Sequence, residues 1–132
     1  MDGVPYIAMF VAYLFVYLPR QFVTLEMRKL QGGYDNRDPR GQQAKLEGLG
    51  RRALAAHQNG FEAFAPFAVG VLASIQRGAD SDVVAYLSIA FIAARAIYIY
   101  AYLANRSLLR SIVWSFGMVA TGSLLIVAIV GR

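Results

Sequence analysis

Apolar residues along the chain are grouped into four long blocks that short polar connections separate. The blocks cover about residues 4–24, 53–76, 83–104 and 111–130. Each has roughly the 20 residues that a helix needs to cross the apolar core of a bilayer. The blocks lack the period-two alternation of a membrane barrel strand. The pattern predicts an all-α protein, a four-helix transmembrane bundle with residues 1–132 forming a single domain.

The composition agrees with this interpretation. Hydrophobic residues make up 58% of the chain and charged residues 16%, a balance outside the usual range of soluble domains. The chain contains no cysteine. Any thiol chemistry must therefore use a bound thiol rather than a side chain of the protein.

The positions of the basic residues predict an orientation. The net charge is +5, which in a soluble protein suggests a nucleic-acid partner. Here the basic residues lie mostly in the first and third connections, where the positive-inside rule accounts for them. We therefore expect no nucleic-acid partner, both basic connections in the cytoplasm, and both termini on the non-cytoplasmic side of a multi-pass integral membrane protein.

Three strongly polar residues interrupt the second and third blocks. With a rise of 1.5 Å per residue, Asn59 and Glu62 lie roughly 10 and 15 Å beyond the helix entrance near Arg52. Arg95 lies about 10 Å from the end of the third block near Tyr102, so its depth is similar. Ionisable groups inside a bilayer normally face a partner or a water-filled cavity, which makes these residues functional candidates. A structural ion pair is the alternative.

The helical period places these residues on two polar stripes. Asn59 and Glu62 share one face, and Arg95, Tyr98 and Tyr102 have the i, i+3, i+7 spacing of another. The stripes predict one pocket that opens to the cytoplasm. The simpler alternatives are a helix–helix hydrogen bond for Asn59 and an interfacial aromatic belt for the tyrosines.

Other polar positions have weaker signals. His57 points away from the predicted pocket and has no further ligands at metal-binding spacing, so we expect a structural or interfacial histidine and no metal site. Arg106 and Arg110 fit the positive-inside rule. Arg110 differs because Ser111 follows it at the mouth of the fourth predicted helix.

Four segments resemble the MAPEG family, the membrane-associated proteins in eicosanoid and glutathione metabolism. They are DNRDPR at 35–40, the RxxxxHxNxxE pattern at 52–62, RAIYIYAYL at 95–103 and RSIVW at 110–114. The resemblance extends over nearly the whole chain and is that of a compact bacterial member. It implies a twelve-helix homotrimer in the bacterial inner membrane, with glutathione as co-substrate between neighbouring subunits near the cytoplasmic face.

The resemblance also implies roles for individual residues. The implied glutathione-binding residues are Arg52, Asn59, Glu62, Arg95, Tyr98, Tyr102 and Arg106, and the implied catalytic residues are Arg110 and Ser111. In this assignment Arg110 is the arginine that stabilises the thiolate.

The chain departs from the family pattern at several positions. Ala55 replaces an arginine of many members, which leaves Arg52 as the nearest guanidinium on that face. Tyr98 and Trp114 replace a histidine and a tyrosine of the prostaglandin synthases. The segment between Tyr102 and Arg110 is one residue shorter than theirs, so Arg106 is an alternative activating arginine. These departures argue against eicosanoid synthesis.

The expected function is that of a glutathione-dependent transferase or peroxidase acting on lipophilic electrophiles or lipid hydroperoxides. Glutathione has two carboxylates and an ammonium group, which complement several arginines and Glu62. A guanidinium near its thiol would lower the thiol pKa. Two alternatives are a non-catalytic lipid-binding membrane scaffold and a small multidrug transporter that uses Glu62 for proton coupling.

Overall fold

The computed structural model describes residues 1–131, and all of the regular secondary structure within them is helical. The helices are α1 (Val4–Arg28), α2 (Pro39–Gln43), α3 (Gly48–Gln76), α4 (Ser81–Leu103) and α5 (Ser107–Val130). The long helices α1, α3, α4 and α5 coincide with the four predicted blocks, which confirms the all-α prediction. The short helix α2 was not predicted.

Two helices begin earlier than the apolar pattern indicated. The helix α3 starts at Gly48 rather than near residue 53, and α5 starts at Ser107 rather than at Ser111. Hydropathy detects the residues at membrane depth, whereas a helix continues into the aqueous interface as long as its backbone hydrogen bonds are made. As a result, Arg110 lies within the first turns of α5 and not at its mouth.

The four long helices form a bundle in which α1 and α5 occupy opposite corners. Each of them packs against both α3 and α4, and α3 and α4 also touch each other across the bundle. An apolar core fills the half near the start of α1. It contains Ala8, Ala12, Phe67, Val71, Val84, Phe91, Ala120 and Leu124. The rings of Phe67 and Phe91 stack with centroids 3.9 Å apart, which joins α3 to α4 there.

The long connection between α1 and α3 is folded onto the opposite end of the bundle. The buried side chain of Gln42 donates to the carbonyl of Gly33 at 2.7 Å and accepts from the backbone N–H of Asp35 at 2.9 Å. Asp38 caps α2 by accepting from the N–H of Gly41 at 3.0 Å. These hydrogen bonds order the connection.

The outer surface of the bundle is strongly apolar. Large hydrophobic side chains are exposed along α1, α4 and α5, among them Phe10, Tyr86 and Phe116. Within residues 1–131, the helices α1, α4 and α5 are long and apolar enough to cross a membrane. The fourth long helix, α3, has sufficient length, but polar residues such as Arg52, Asn59 and Glu62 reduce its hydropathy. Its sequence is therefore the least suited to face lipid.

The contact between α1 and α3 depends on the small size of Gly60. A Cβ atom at this position would lie 3.1 Å from the Cα of Val16, tighter than nine in ten real Cβ contacts. We expect Gly60→Ala to destabilise the fold by about 1–3 kcal/mol, since two backbones would have to separate. Thermal unfolding in detergent measures the loss of stability.

The matched control is Gly122→Ala in α5, where a Cβ would meet nothing within 4 Å. This variant should unfold at the same temperature as the wild type or slightly higher, because alanine favours a helix. An equal loss of stability in both variants would contradict the role of close approach at Gly60.

Candidate functional site

A continuous line of polar and aromatic contacts crosses the bundle from α3 through α4 to α5. It lies toward the end that carries the long basic connection, beyond the apolar core. It joins six of the residues that the sequence singled out, namely Glu62, Asn59, Arg95, Tyr98, Tyr102 and Arg110. We refer to these six residues as the polar line.

In the α3 part of the polar line, two hydrogen bonds connect three side chains in series. Arg95, which is 6% exposed, donates from Nη1 to Oδ1 of Asn59 at 2.8 Å. Asn59 in turn donates from Nδ2 to Oε2 of Glu62 at 3.1 Å. An amide suits this position because it has both an acceptor for a cation and a donor for an anion. The three residues therefore have the similar depth that the sequence predicted.

The predicted Glu62–Arg95 pair is not a direct ion pair. Among the described residues, the ion pairs within 4.0 Å do not include these two side chains. Asn59 lies between them and connects the two charges. The sequence placed all three at one depth, but rotation about the helix axes put the amide in the contact and left Glu62 exposed on α3.

The α4 and α5 part of the polar line consists of arginine–tyrosine stacking. The guanidinium carbon of Arg95 lies 4.1 Å from the ring centroid of Tyr98, and that of Arg110 lies 4.5 Å from the centroid of Tyr102. The two tyrosine rings meet edge to face at 5.5 Å. A stacked guanidinium retains its N–H donors in its own plane, where a carboxylate or a thiolate can approach.

Arg52 is not one of the six residues of the polar line, and its guanidinium contacts the backbone of α4. Its Nη2 donates to the carbonyl of Leu103 at 3.3 Å, and Leu103 is the last residue of α4. The final carbonyls of a helix have no partner within the helix, so this contact satisfies one of them. Arg52 thus ties the start of α3 to the end of α4. Helical periodicity could not reveal this contact.

The two other predicted site residues also lie outside the polar line. Arg106 is exposed and lines a groove with Tyr100, on the side of α4 opposite to Tyr98. Ser111 is exposed, and its carbonyl accepts from the hydroxyl of Ser115 at 3.0 Å. Of the two candidate activating arginines, Arg110 is therefore the one that stacks on a tyrosine of the polar line.

Two further polar residues within the long helices, His57 and Arg20, form hydrogen bonds that connect or stabilise helices. The buried ring of His57 lies with Nδ1 2.6 Å from the carbonyl of Val16, which confirms the expected structural histidine. Arg20, a half-buried cation in α1, was missed although it interrupts an apolar block, a signal that the sequence offered. Its Nη1 donates to the hydroxyl of Thr24 at 2.7 Å, one turn further along the same helix.

The hydrogen bond between Arg95 and Asn59 should couple the two residues energetically. Asn59→Leu leaves a buried guanidinium without this acceptor, and Arg95→Met leaves the amide oxygen without this donor. The double variant should therefore cost less than the sum of the single ones, by about 0.5–3 kcal/mol. Thermal unfolding of the four proteins measures the difference.

Ser74→Ala supplies the control, because Ser74 donates to Leu124 in the apolar half and shares no described partner with Arg95. Combined with Arg95→Met, it should be additive within about 0.5 kcal/mol. Additivity of the Asn59 and Arg95 substitutions would show that the observed hydrogen bond contributes nothing to stability.

The comparison with known proteins agrees with this architecture. The family model of the MAPEG family matches residues 6–130 of the chain, which is nearly its whole length. No curated protein and no solved structure matches the chain significantly. Three helices are apolar enough to span a bilayer, and the polar line contains residues from three of the four segments that carry the family resemblance. The chain therefore belongs to the MAPEG family and is an integral membrane protein.

Proposed function

We propose that the protein is a glutathione-dependent transferase or peroxidase that acts within the membrane on lipophilic electrophiles or lipid hydroperoxides. Membership of the MAPEG family supports a glutathione-related function of the transferase or peroxidase type. The observation that carries the specific proposal is the polar line. It holds two stacked arginines, Arg95 and Arg110, at the two ends of a pair of tyrosines, with the carboxylate of Glu62 beyond Arg95.

The charges along the polar line complement those of glutathione. Arg95 is a donor for one of the two carboxylates, and Glu62 is an acceptor for the ammonium group. Asn59 bonds to both side chains and so holds them at a fixed separation. Tyr98 and Tyr102 provide an apolar wall between this end and Arg110. In this assignment glutathione would lie along the line with its thiol toward Arg110.

Arg110 would activate the thiol. A guanidinium near sulfur favours the thiolate over the thiol, and stacking on Tyr102 holds that charge in place before the reaction. In the transferase reaction the thiolate forms a C–S bond to an electrophilic carbon as the leaving group departs or the double bond is protonated. In the peroxidase reaction two glutathione molecules are oxidised to the disulfide while the hydroperoxide is reduced to an alcohol and water.

The surroundings of Arg95 suit a substrate that arrives from lipid. A narrow apolar crevice between α3 and α5 reaches this arginine, and its lining includes Pro66, Trp114 and Met118. Trp114 and Met118 are more than 40% exposed, at 42% and 46%. They form the outer edge of the crevice. A lipophilic molecule could therefore approach from the apolar surface of α5.

The exposed face of α3 supports a homotrimer. Gln58 and Glu62 are exposed in the single chain, at a depth where α1, α4 and α5 present apolar side chains. A carboxylate that faced hydrocarbon would cost about 2.5–3.5 kcal/mol or more. A neighbouring copy packed on this face would cover it. The polar line would then lie beside a subunit boundary, as the family resemblance implies for glutathione.

We also propose the orientation that the charges indicate. The basic connections would lie in the cytoplasm and both termini on the other side of a bacterial inner membrane. The opposite end of the bundle, between α3 and α4, carries Arg77 with Asp80 and Asp82. This balance of charge fits the non-cytoplasmic side.

Activation of the thiol can be separated from binding. Arg110→Leu should abolish the ultraviolet thiolate absorbance that appears when glutathione is titrated into the protein. It should lower kcat by roughly 100-fold, the weight of one preorganised charge-stabilising donor. The glutathione KM should stay within several-fold of its original value, because the interaction forms mainly with the reacting thiolate. Arg95→Leu should instead weaken glutathione binding itself.

Arg106→Leu is the matched control, because it removes an arginine four residues before Arg110 that lines the outer groove and is not part of the polar line. It should keep both the thiolate signal and the rate. Loss of both in Arg106→Leu, with Arg110→Leu unaffected, would identify Arg106 as the activating residue.

Two other outcomes would indicate the alternative functions. A protein that binds fatty acid but no glutathione would be a lipid-binding scaffold. A dimer that exports substrates when a pH gradient is applied would be a small multidrug transporter.

The trimer can be tested with paired substitutions to tryptophan. Ala65 is exposed on α3 near Glu62, and Ala93 is exposed on α4. Ala65→Trp should break the trimer and weaken glutathione binding by about tenfold or more, because overpacking at an interface is not tolerated. Ala93→Trp should leave both unchanged. Native mass spectrometry gives the subunit count, and unchanged trimers of Ala65→Trp would count against α3 as the interface.

A further inference from the structure

A groove on the outer surface lies at the connection between α4 and α5. Its volume is about 520 Å³, and it is lined by Tyr100, Asn105, Arg106, Ser107, Leu108 and Leu109. Tyr100 lies two residues after Tyr98, which turns it about 200° around the helix axis, away from the polar line. The groove is therefore separate from the proposed glutathione site.

The groove is lined by both polar and apolar side chains. Asn105, Arg106 and Ser107 are exposed and supply a guanidinium, an amide and a hydroxyl. Tyr100 and Leu108, which are 60% and 74% exposed, form the apolar part. The residues that line the groove include no carboxylate, so its charge is positive.

Further exposed apolar side chains lie one or two helical turns from the apolar residues of the groove, and we call these side chains the apolar track. Ile97 on α4 follows Tyr100, and Ile112 and Phe116 on α5 follow Leu108, all of them exposed. From Leu108 to Phe116 the track extends about 12 Å along the helix, a large part of the depth of one leaflet. An occupant that fits the whole surface has an anionic head and a long apolar chain.

We propose that this groove binds an anionic phospholipid of the surrounding bilayer. The phosphate lies against Arg106, with donors from Asn105 and Ser107, and an acyl chain lies along the apolar track. A guanidinium is well suited to a phosphate because its planar donors match two oxygens at once. Tyr100 has the amphipathic side chain that is typical of the membrane interface. The proposal does not depend on the glutathione site.

The experiment uses the full-length protein, purified and delipidated in a neutral detergent. Phosphatidylglycerol and phosphatidylcholine are titrated separately, and native mass spectrometry counts the lipids that remain bound. The wild type should bind its first phosphatidylglycerol with clear preference over phosphatidylcholine. Arg106→Gln should weaken that first binding by about tenfold or more, since a charge-assisted contact is lost. Arg106→Lys should retain part of the preference.

The control is Arg37→Gln, which removes the same charge from an exposed loop position outside the groove. Its affinity for phosphatidylglycerol should stay within twofold of the wild type. Equal losses of phosphatidylglycerol affinity in Arg37→Gln and Arg106→Gln would mean that the lipid is attracted diffusely to the basic end of the bundle, and would overturn the proposal. A wild type without preference for phosphatidylglycerol over phosphatidylcholine would also overturn it.

Two further measurements complete the test. Glycerol phosphate at matched concentration should not displace the lipid, because it lacks the chain that occupies the track, and displacement would indicate a site for free phosphate instead. Leu108→Ser should weaken binding of both lipids. Far-UV circular dichroism establishes whether the variants are folded. If Arg106→Gln is not folded, the comparison of Leu108→Ser with the wild type decides whether the groove binds lipid. Unchanged lipid binding by Leu108→Ser would then overturn the proposal.

Discussion

The burial of one guanidinium constrains the whole bundle. Arg95 is 6% exposed on a helix that is otherwise apolar enough to cross a membrane. Without partners such a charge would be costly there. Asn59 supplies an acceptor from α3, and the ring of Tyr98 supplies a face on α4 itself. These contacts require α3 and α4 to approach each other across the bundle, and the positions of α1 and α5 at the other corners follow from that approach.

The same requirement divides the bundle into two halves with different physical properties. In one half, stacked aromatic rings and small side chains form an apolar core, where the hydroxyl of Ser74 donates to the backbone carbonyl of Leu124. In the other half, α3 contains Asn59, which bonds to Arg95, and Glu62, which bonds to Asn59. With these polar residues, α3 is the least apolar of the long helices. A helix of this kind is stable in a membrane when protein covers its polar face, which is the physical argument for the proposed trimer.

Much of this architecture was predictable. The four long helices, the common depth of Asn59, Glu62 and Arg95, and the stripe that contains Tyr98 and Tyr102 all follow from hydropathy and helical period. The first residues of α3 and α5 were predicted too late in the sequence, because hydropathy marks membrane depth rather than helix length. Helical period placed Arg52 on the face of the predicted pocket, but it could not show that the guanidinium of Arg52 donates to the carbonyl at the end of α4.

The sequence by itself determined the helices, their approximate depth and the polar residues within them, because these properties depend on the local order of side chains along one helix. Only the tertiary structure decided which residues meet. It placed Asn59 between Glu62 and Arg95, and it set Arg110 rather than Arg106 against Tyr102. The physical reason is that such contacts depend on the rotation of each helix about its axis and on the short connection through Asn105, whose φ of 57° is left-handed. Neither quantity leaves a periodic signal in the sequence.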